Sequence, residues 1–210
     1  MDKKKRMDPH IDRKLEEGSY HDARLTENFE HFVFQNEVIT DTFSYGDFKN
    51  CKFVSCDFSQ AHFSRIDLTD VVLEHCDLSN LDFSDCGIHR VIFDHCKTVG
   101  TDFSGSILAD VLFQDCNMRY ANFSYAKIKS SEFQDVNLLE STMNNTELAH
   151  TSFLQSDLSR MELLKTPLKG VDLRTCTIEG IRLSGEELRG CIVTESQAIQ
   201  LARFLGLEIE

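Results

Sequence analysis

Three groups of residues in this chain have types and spacing that could do chemistry. Cys56, Cys76, Cys96 and Cys116 recur every twenty residues. Thiols stacked at that interval would suit a disulfide or a soft metal ion. His75, His95, Asp115 and Asp135 keep the same interval, with Glu74, Asp94, Gln114 and Gln134 beside them. Imidazole with carboxylate is a donor set for zinc or another borderline cation. Asp, His and Ser also occur in groupings that could be drawn as a catalytic triad.

What these groups can do depends on the elements that carry them. An apolar residue recurs every fifth position, starting Phe43, Phe48, Phe53, Phe58 and Phe63 and ending Leu183, Leu188 and Val193. Of the 31 such positions, 30 are apolar, and Thr98 is the exception. No insertion breaks the phase. Two residues before the centre lies a second restricted class, mostly small residues such as Cys51, Ala61, Val71 and Ser106, and all eight cysteines occupy it. The residue between is often Asp or Asn, as at Asp57, Asp77, Asp82, Asp102, Asn117, Asn122 and Asn137.

A period of five fits neither a helix nor a plain strand. Two inward residues flanking an outward one make a short strand, and the other two residues must turn a corner. Six of the ten glycines stand two after a centre, where a positive φ is easy. Taken twenty apart, the centres sort into four columns. Phe43, Phe63, Phe83, Phe103 and Phe123 begin one; Phe53, Phe93, Phe113, Phe133 and Phe153 dominate the column two sides away; aliphatics fill the other two. This predicts an all-β fold, a four-sided β-helix of about eight coils and roughly 37 Å at ~4.8 Å per coil. Thr98, followed by Val99 and Gly100, predicts a local distortion of one coil.

On such a rod the cysteines face inward as small, reduced, inert hydrophobes. The His–Asp column lies on a flat face, and ligands in one line do not enclose a tetrahedral ion. No element fixes a nucleophile in a cleft. The reading is therefore no enzyme, no metal and no cofactor.

The ends must cover the open coils. Residues 1–40 form an N-terminal segment and cap, 41–193 the β-helix, and 194–210 a capping helix. Residues 1–10 read as mobile, Arg13 to Glu17 as a short helix, and Phe29, Phe32 and Phe34 as an irregular first coil or cap. At the other end Thr194 and Gln197 form a capping box ahead of Ala198 to Leu205, with Gly206 as the stop. Ile199, Leu201, Ala202, Phe204, Leu205 and Leu207 are more apolar residues than one cap must bury. A symmetric homodimer through this helix is expected; a cap that only closes the coil is the simpler reading.

The 210 residues carry 35 acids and 22 bases, a net charge of −13. That argues against direct nucleic-acid binding. No run approaches the ~18 apolar residues of a membrane span, and no signal peptide is visible, so a cytoplasmic location is expected. The charge is uneven: 13 acids and 5 bases over 41–118, then 11 and 9 over 119–195. The side holding Glu74, Asp94, Asp115, Glu132 and Asp135 has no Lys or Arg between 71 and 155. It is either a solvated face or a surface for a basic partner.

Stretches such as Cys56-Asp57-Phe58-Ser59-Gln60, Cys76-Asp77-Leu78-Ser79-Asn80 and Ala121-Asn122-Phe123-Ser124-Tyr125 resemble the pentapeptide-repeat family, whose pattern is A(D/N)LXX. The resemblance implies a right-handed quadrilateral β-helix. The uninterrupted repeats and the ending Val193-Thr194-Glu195-Ser196-Gln197-Ala198 are similar to the quinolone-resistance (Qnr-type) branch. That implies a dimeric acidic rod that mimics DNA, binds DNA gyrase or topoisomerase IV, and protects the enzyme from fluoroquinolones. It resembles the loop-free members, since no loop interrupts 43–193. Duplex DNA of ~37 Å carries roughly 22 charges at one per ~1.7 Å, whereas 41–195 nets −10. Shape with a partial acidic strip is implied, not full charge replacement. A rigid scaffold for some other partner is the alternative.

Overall fold

The computed structural model describes residues 5–12, 14–25 and 29–207. The elements run β1 (Glu16–Glu17), α1 (Tyr20–Leu25), β2 (Phe32–Gln35), β3 (Thr42–Val54), β4 (His62–Glu74) and β5 (Gly87–Asp94). Short strands follow in pairs, one on each of two adjacent sides: β6 (Ile107–Ala109) and β7 (Leu112–Gln114), β8 (Lys127–Lys129) and β9 (Glu132–Gln134), β10 (Glu147–Ala149) and β11 (Ser152–Leu154). The chain closes with α2 (Glu195–Leu201).

All pairing is parallel, and from β3 onward each residue pairs with the one twenty further on. Phe43 lies over Phe63, Leu68 over Ile88, Phe113 over Phe133 and Asp172 over Ile192. Twenty residues per coil are four sides of five, so the columns seen in the sequence are physical columns, in about seven full turns. The constant offset leaves no room for a loop between 42 and 192.

The sides are built in two ways. On those centred on Phe48 and Phe53 the outward residues extend into strands. On the side centred on Phe58, and on that of Phe83, Phe103 and Phe123, the Asp or Asn before the centre accepts the N–H two residues on. Asp57 takes Ser59 at 2.8 Å, Asp82 takes Ser84 at 2.8 Å, and Asn122 takes Ser124 at 3.0 Å. These are Asx turns. Asp77, Asp102, Asp157 and Asp172 fold corners in the same way.

Most corners two residues after a centre are left-handed, with φ of 55° at His75, 52° at Asp115 and 63° at Tyr125. Side chains occupy most of them despite the steric cost. Glycine takes other corners, with φ of 81° at Gly170 and 102° at Gly185, where it adopts the left-handed region without that cost.

Inside, the phenylalanines form two facing stacks. Phe93, Phe113, Phe133 and Phe153 lie 4.7, 5.0 and 4.9 Å apart, nearly parallel. Phe103 stacks on Phe123 at 4.8 Å. The stacks meet edge to face, as Phe123 does Phe133 at 5.8 Å and 84°. Flat offset stacking along the axis and edge contact across it satisfy the ring quadrupoles in both directions. The cysteines face this interior and all are free. Cys96 Sγ donates to Leu73 O at 3.3 Å and Cys116 Sγ to Phe93 O at 3.4 Å. Burial pushes the Cys51 and Cys86 thiols up to about 11.

The distortion expected at Thr98 is absent. Its N–H bonds Asn117 O at 2.8 Å, and its side chain is fully buried. The hydroxyl donates to Asn117 O at 3.3 Å. A threonine that satisfies its own hydroxyl on the ladder fits a centre position without bending the coil.

The N-terminal end departs from the sequence reading in two places. No helix forms at 14–17; Glu16–Glu17 pairs with β2, with Glu16 N–H on His31 O at 2.9 Å. Pairing covers the open strand edge, which outweighs local helix propensity. The helix comes later, as α1, and its Tyr20 and Ala23 are buried. Of the stretch read as mobile, residues 1–4 lie outside the described residues, and Met7 and His10 are hydrogen-bonded to the rod, as described below. β2 itself pairs nineteen residues ahead, Phe34 over Phe53. One residue fewer before Phe43 keeps the rings stacked, at 4.9 Å.

At the other end Thr194 Oγ1 accepts Gln197 N–H, and Gln197 Oε1 accepts Thr194 N–H, closing the capping box. Gln197 is buried, and its Nε2 donates to Leu173 O at 2.7 Å and Cys176 O at 2.9 Å. It thereby supplies a donor to Cys176 O at the end of the rod and a second one to Leu173 O, which also accepts the Cys176 N–H at 2.9 Å. Glu187, also buried, accepts the N–H groups of Lys165, Ser184 and Gly185. Burial raises its carboxyl, but these donors outweigh that and hold it below the ordinary range.

Candidate interaction surface

The side centred on Phe53, Leu73, Phe93, Phe113 and Phe133 carries the predicted acidic strip. Alternation along each strand sends the centre inward and the residues on either side of it outward. Register then aligns Val54, Glu74, Asp94, Gln114 and Gln134 in one outward row. The corner beside that row stacks His75, His95, Asp115 and Asp135, each left-handed.

Asp94, Asp115 and Asp135 thus form one strip along the edge of the side. Glu132 stands in the other outward row, under Leu112 and over Ser152. Glu74 is in the strip but is already engaged: Lys52 Nζ reaches it from the coil above, at 2.7 Å. Lys52 precedes Glu74 by 22 residues, and that interval is the signal that would have revealed the pair. Ion pairs twenty apart follow the same logic, as Lys97 with Asp77 and Arg182 with Glu162.

His95 sits inside the strip. Its Nδ1 is 2.7 Å from Asp94 Oδ1, and its Nε2 is 3.9 Å from Asp115 Oδ2. The His75 ring lies 5.0 Å away, tilted by 44°. The Asp94 hydrogen bond, opposed by slight burial and aided by the Asp94 and Asp115 charges, raises the His95 pKa. Asp94, His95 and Asp115 are the one group among the described residues whose donor atoms are close enough for a cation. They are exposed or half-buried on a flat face, with Asp94 bonded to His95.

The opposite edge of this side holds a feature the sequence reading missed. Its corner column is Asn50, Asp70, Arg90 and Asp110, and residues 5–12 run lengthwise beside it. Met7 N–H donates to Asp110 Oδ1 at 3.0 Å, His10 N–H to Asp70 Oδ1 at 2.9 Å, and Asp12 N–H to Asn50 Oδ1 at 3.0 Å. Asn50 returns a bond from Nδ2 to Asp12 Oδ2 at 2.7 Å. Asn50, Asp70 and Asp110 are corner residues, yet each is at most 8% exposed. Arg90 grips Asp70 through Nε at 2.6 Å and Nη2 at 2.7 Å. Burial raises the Asp70 carboxyl, but the Arg90 fork and the His10 amide outweigh it and hold it below the ordinary range.

At the C-terminal end the six apolar residues divide. Leu201 and Ala202 are buried within the single chain. Phe204 is half-buried, with the Arg203 guanidinium 4.8 Å from its ring centroid. Ile199 and Leu207 are exposed, at 60% and 58%, and Ile192 adds a third exposed aliphatic at 43%. The side chain of Leu205 lies outside the described residues. A cleft of about 330 Å³ opens beside α2, lined by Ile178, Ile181, Gln200, Leu201 and Arg203 among others. No described helix is long and apolar enough to cross a membrane.

Comparison with known proteins agrees with this architecture. The family model for the pentapeptide repeat region matches residues 46–123 and 66–143. Among solved structures, a trypsin-treated variant of QnrB1, described as a plasmid-mediated fluoroquinolone resistance protein, is 24% identical with a TM-score of 0.55. The match covers 87% of this chain and 93% of that one. HetL of the cyanobacterium Nostoc, described as involved in heterocyst differentiation regulation, is 16% identical over 83% of this chain and 95% of its own, with a TM-score of 0.36. No curated protein matches the sequence. The five-residue period, the twenty-residue register and the matched repeat region give this chain the architecture of a pentapeptide-repeat β-helix.

Proposed function

We propose that the chain is a non-enzymatic, rod-shaped binding protein of the quinolone-resistance type. Its partner is a type II topoisomerase, DNA gyrase or topoisomerase IV, and its binding protects that enzyme from fluoroquinolones. The observation that carries the reading is the strip Asp94, Asp115 and Asp135 on a loop-free, straight-sided rod, along a side with no Lys or Arg between 71 and 155. A saddle built to hold a duplex offers basic groups to such an edge. The likeness to QnrB1 supports the fold of the rod, and the similar C-terminal ending supports the branch.

The mimicry is of shape more than of charge. Asp77 is paired with Lys97, Glu74 with Lys52 and Asp70 with Arg90, which offsets part of the acidity of the rod. Electrostatics then steer the encounter, and complementary shape must hold the complex. Dimerisation extends the rod, with Ile199, Leu207 and Ile192 as the exposed apolar end.

Binding to immobilised gyrase at rising salt tests this reading. Asp94→Lys, Asp115→Lys and Asp135→Lys together should slow association at least ~tenfold at low salt, with a smaller difference at about 0.5 M NaCl. Binding unaffected by the triple reversal, or insensitive to salt, would sink the acidic strip as the contact. No binding to gyrase or topoisomerase IV would leave a scaffold with a different partner.

A further inference from the structure

The corner column of Asn50, Asp70, Arg90 and Asp110 is built unlike the other three. It recognises a main chain. Three successive backbone N–H donors, at Met7, His10 and Asp12, find three side-chain acceptors on coils of decreasing number. Five residues of near-extended chain reach ~16 Å, and three coil spacings are ~14 Å. The match explains why bonds recur at intervals of two and three residues. The bonds go to the backbone of the segment, so they do not depend on its side chains.

Residues 5–12 are themselves neutral, Lys5 and Arg6 against Asp8 and Asp12, and the bases that flank them bring the segment to an acidic rod. Residues 1–14 contain six Lys or Arg and three Asp, a net of +3, whereas the remaining chain nets −16. The column belongs to the more acidic half, 41–118. Next to it on the same side, Val72, Ile92 and Leu112 form an outward row of aliphatics over successive coils. Leu112 is only 9% exposed although it points outward from its strand.

We propose that this column is a recognition track for an extended polypeptide segment flanked by basic residues, occupied in cis by the chain's own residues 5–12. The occupant is a tethered ligand, joined to the rod by three main-chain bonds. It yields when a competing segment of the same chemistry presents amide donors at the same intervals. The track lies on the edge opposite the Asp94–Asp135 strip, so a partner seated on this side meets the strap. This inference does not require that partner to be a topoisomerase.

The test uses the full chain. Met7→Pro with His10→Pro removes two amide donors and leaves Asp70 and Asp110 untouched. The probe is a fluorescent peptide of residues 1–14, followed by anisotropy. It should bind the double variant at least ~tenfold more tightly than the unaltered chain, where the tethered segment competes at high effective concentration. Adding Asp110→Ala should weaken that binding at least fivefold. Equal binding to both chains, or no saturable binding up to about 1 mM by a variant that melts cooperatively, would overturn the proposal. Amide exchange supplies an independent reading on the unaltered chain. The Met7, His10 and Asp12 amides should exchange at least tenfold more slowly than in the free peptide, and exchange at the free rate would also overturn it.

Discussion

His95 Nδ1 lies 2.7 Å from Asp94 Oδ1, which places a titratable cation in the middle of the acidic strip. The hydrogen bond raises the pKa of His95 above its ordinary value of 6.5. Protonation adds positive charge beside Asp94, Asp115 and His75. Association with a basic partner should therefore slow severalfold as the pH falls from about 8.5 to about 6. His95→Gln, which cannot charge, should lose most of that dependence. Stopped-flow association rates at the two pH values check this, and identical profiles for the two chains would refute it.

Gln197 closes the last coil with two hydrogen bonds to main-chain carbonyls. Replacing it with Ala orphans Cys176 O, while Leu173 O keeps the Cys176 N–H at 2.9 Å, and a buried unsatisfied group costs about 1–3 kcal/mol. It also removes half of the capping box. Gln197→Ala should lower unfolding stability by about 3 kcal/mol, against about 1 kcal/mol for Thr194→Ala, which removes one N-cap bond. Urea denaturation measures both. A Gln197→Ala effect no larger than that of Thr194→Ala would mean that the coil end does not need the plug.

Asp70 and Arg90 supply an acid-sensitive contact. The Asp70 carboxyl is held below its ordinary value of 3.8. A depressed folded-state pKa stabilises the fold above the unfolded value, and that contribution is lost as pH falls through the folded value. Arg90→Ala leaves Asp70 buried without its cation and should cost about 2 kcal/mol at pH ~7. The deficit should shrink below pH ~4, where Asp70 takes up a proton. A deficit that stays constant from pH ~7 to pH ~3 would show that the lost contribution is packing.

Ile199, at 60% exposed, stands on the apolar end of the chain. Ile199→Glu should leave the melting of the rod nearly unchanged and convert a dimer to a monomer in sedimentation equilibrium. Leu201→Glu, at a buried position, should instead unfold the cap. A monomeric profile for the unaltered chain would remove the helix face as a dimer contact.

The period of five makes the rod legible, because a core one residue wide forces every fifth side chain inward whatever the local detail. Phe93, Phe113 and Phe133 can be placed in one stack from their numbers alone. Thr98 misleads because hydropathy does not show that a hydroxyl can satisfy itself on the ladder. The acidic strip is legible as a column, yet the neutralisation of Glu74 is not, since Lys52 lies one coil and two residues away. The strap is invisible to periodicity. Met7, His10 and Asp12 act through their amides, which every residue except proline has, so no residue type marks the interaction. Hydropathy groups Leu201 and Ala202 with Ile199; the angle of the helix on the last coil decides which of them is buried.

The most direct test of the account is supercoiling by purified gyrase in the presence of ciprofloxacin, titrated with this protein. Supercoiling should be restored as protein is added, and the Asp94, Asp115 and Asp135 reversal should abolish the rescue. Inhibition of gyrase without rescue, or no effect at any concentration, would contradict the protective role.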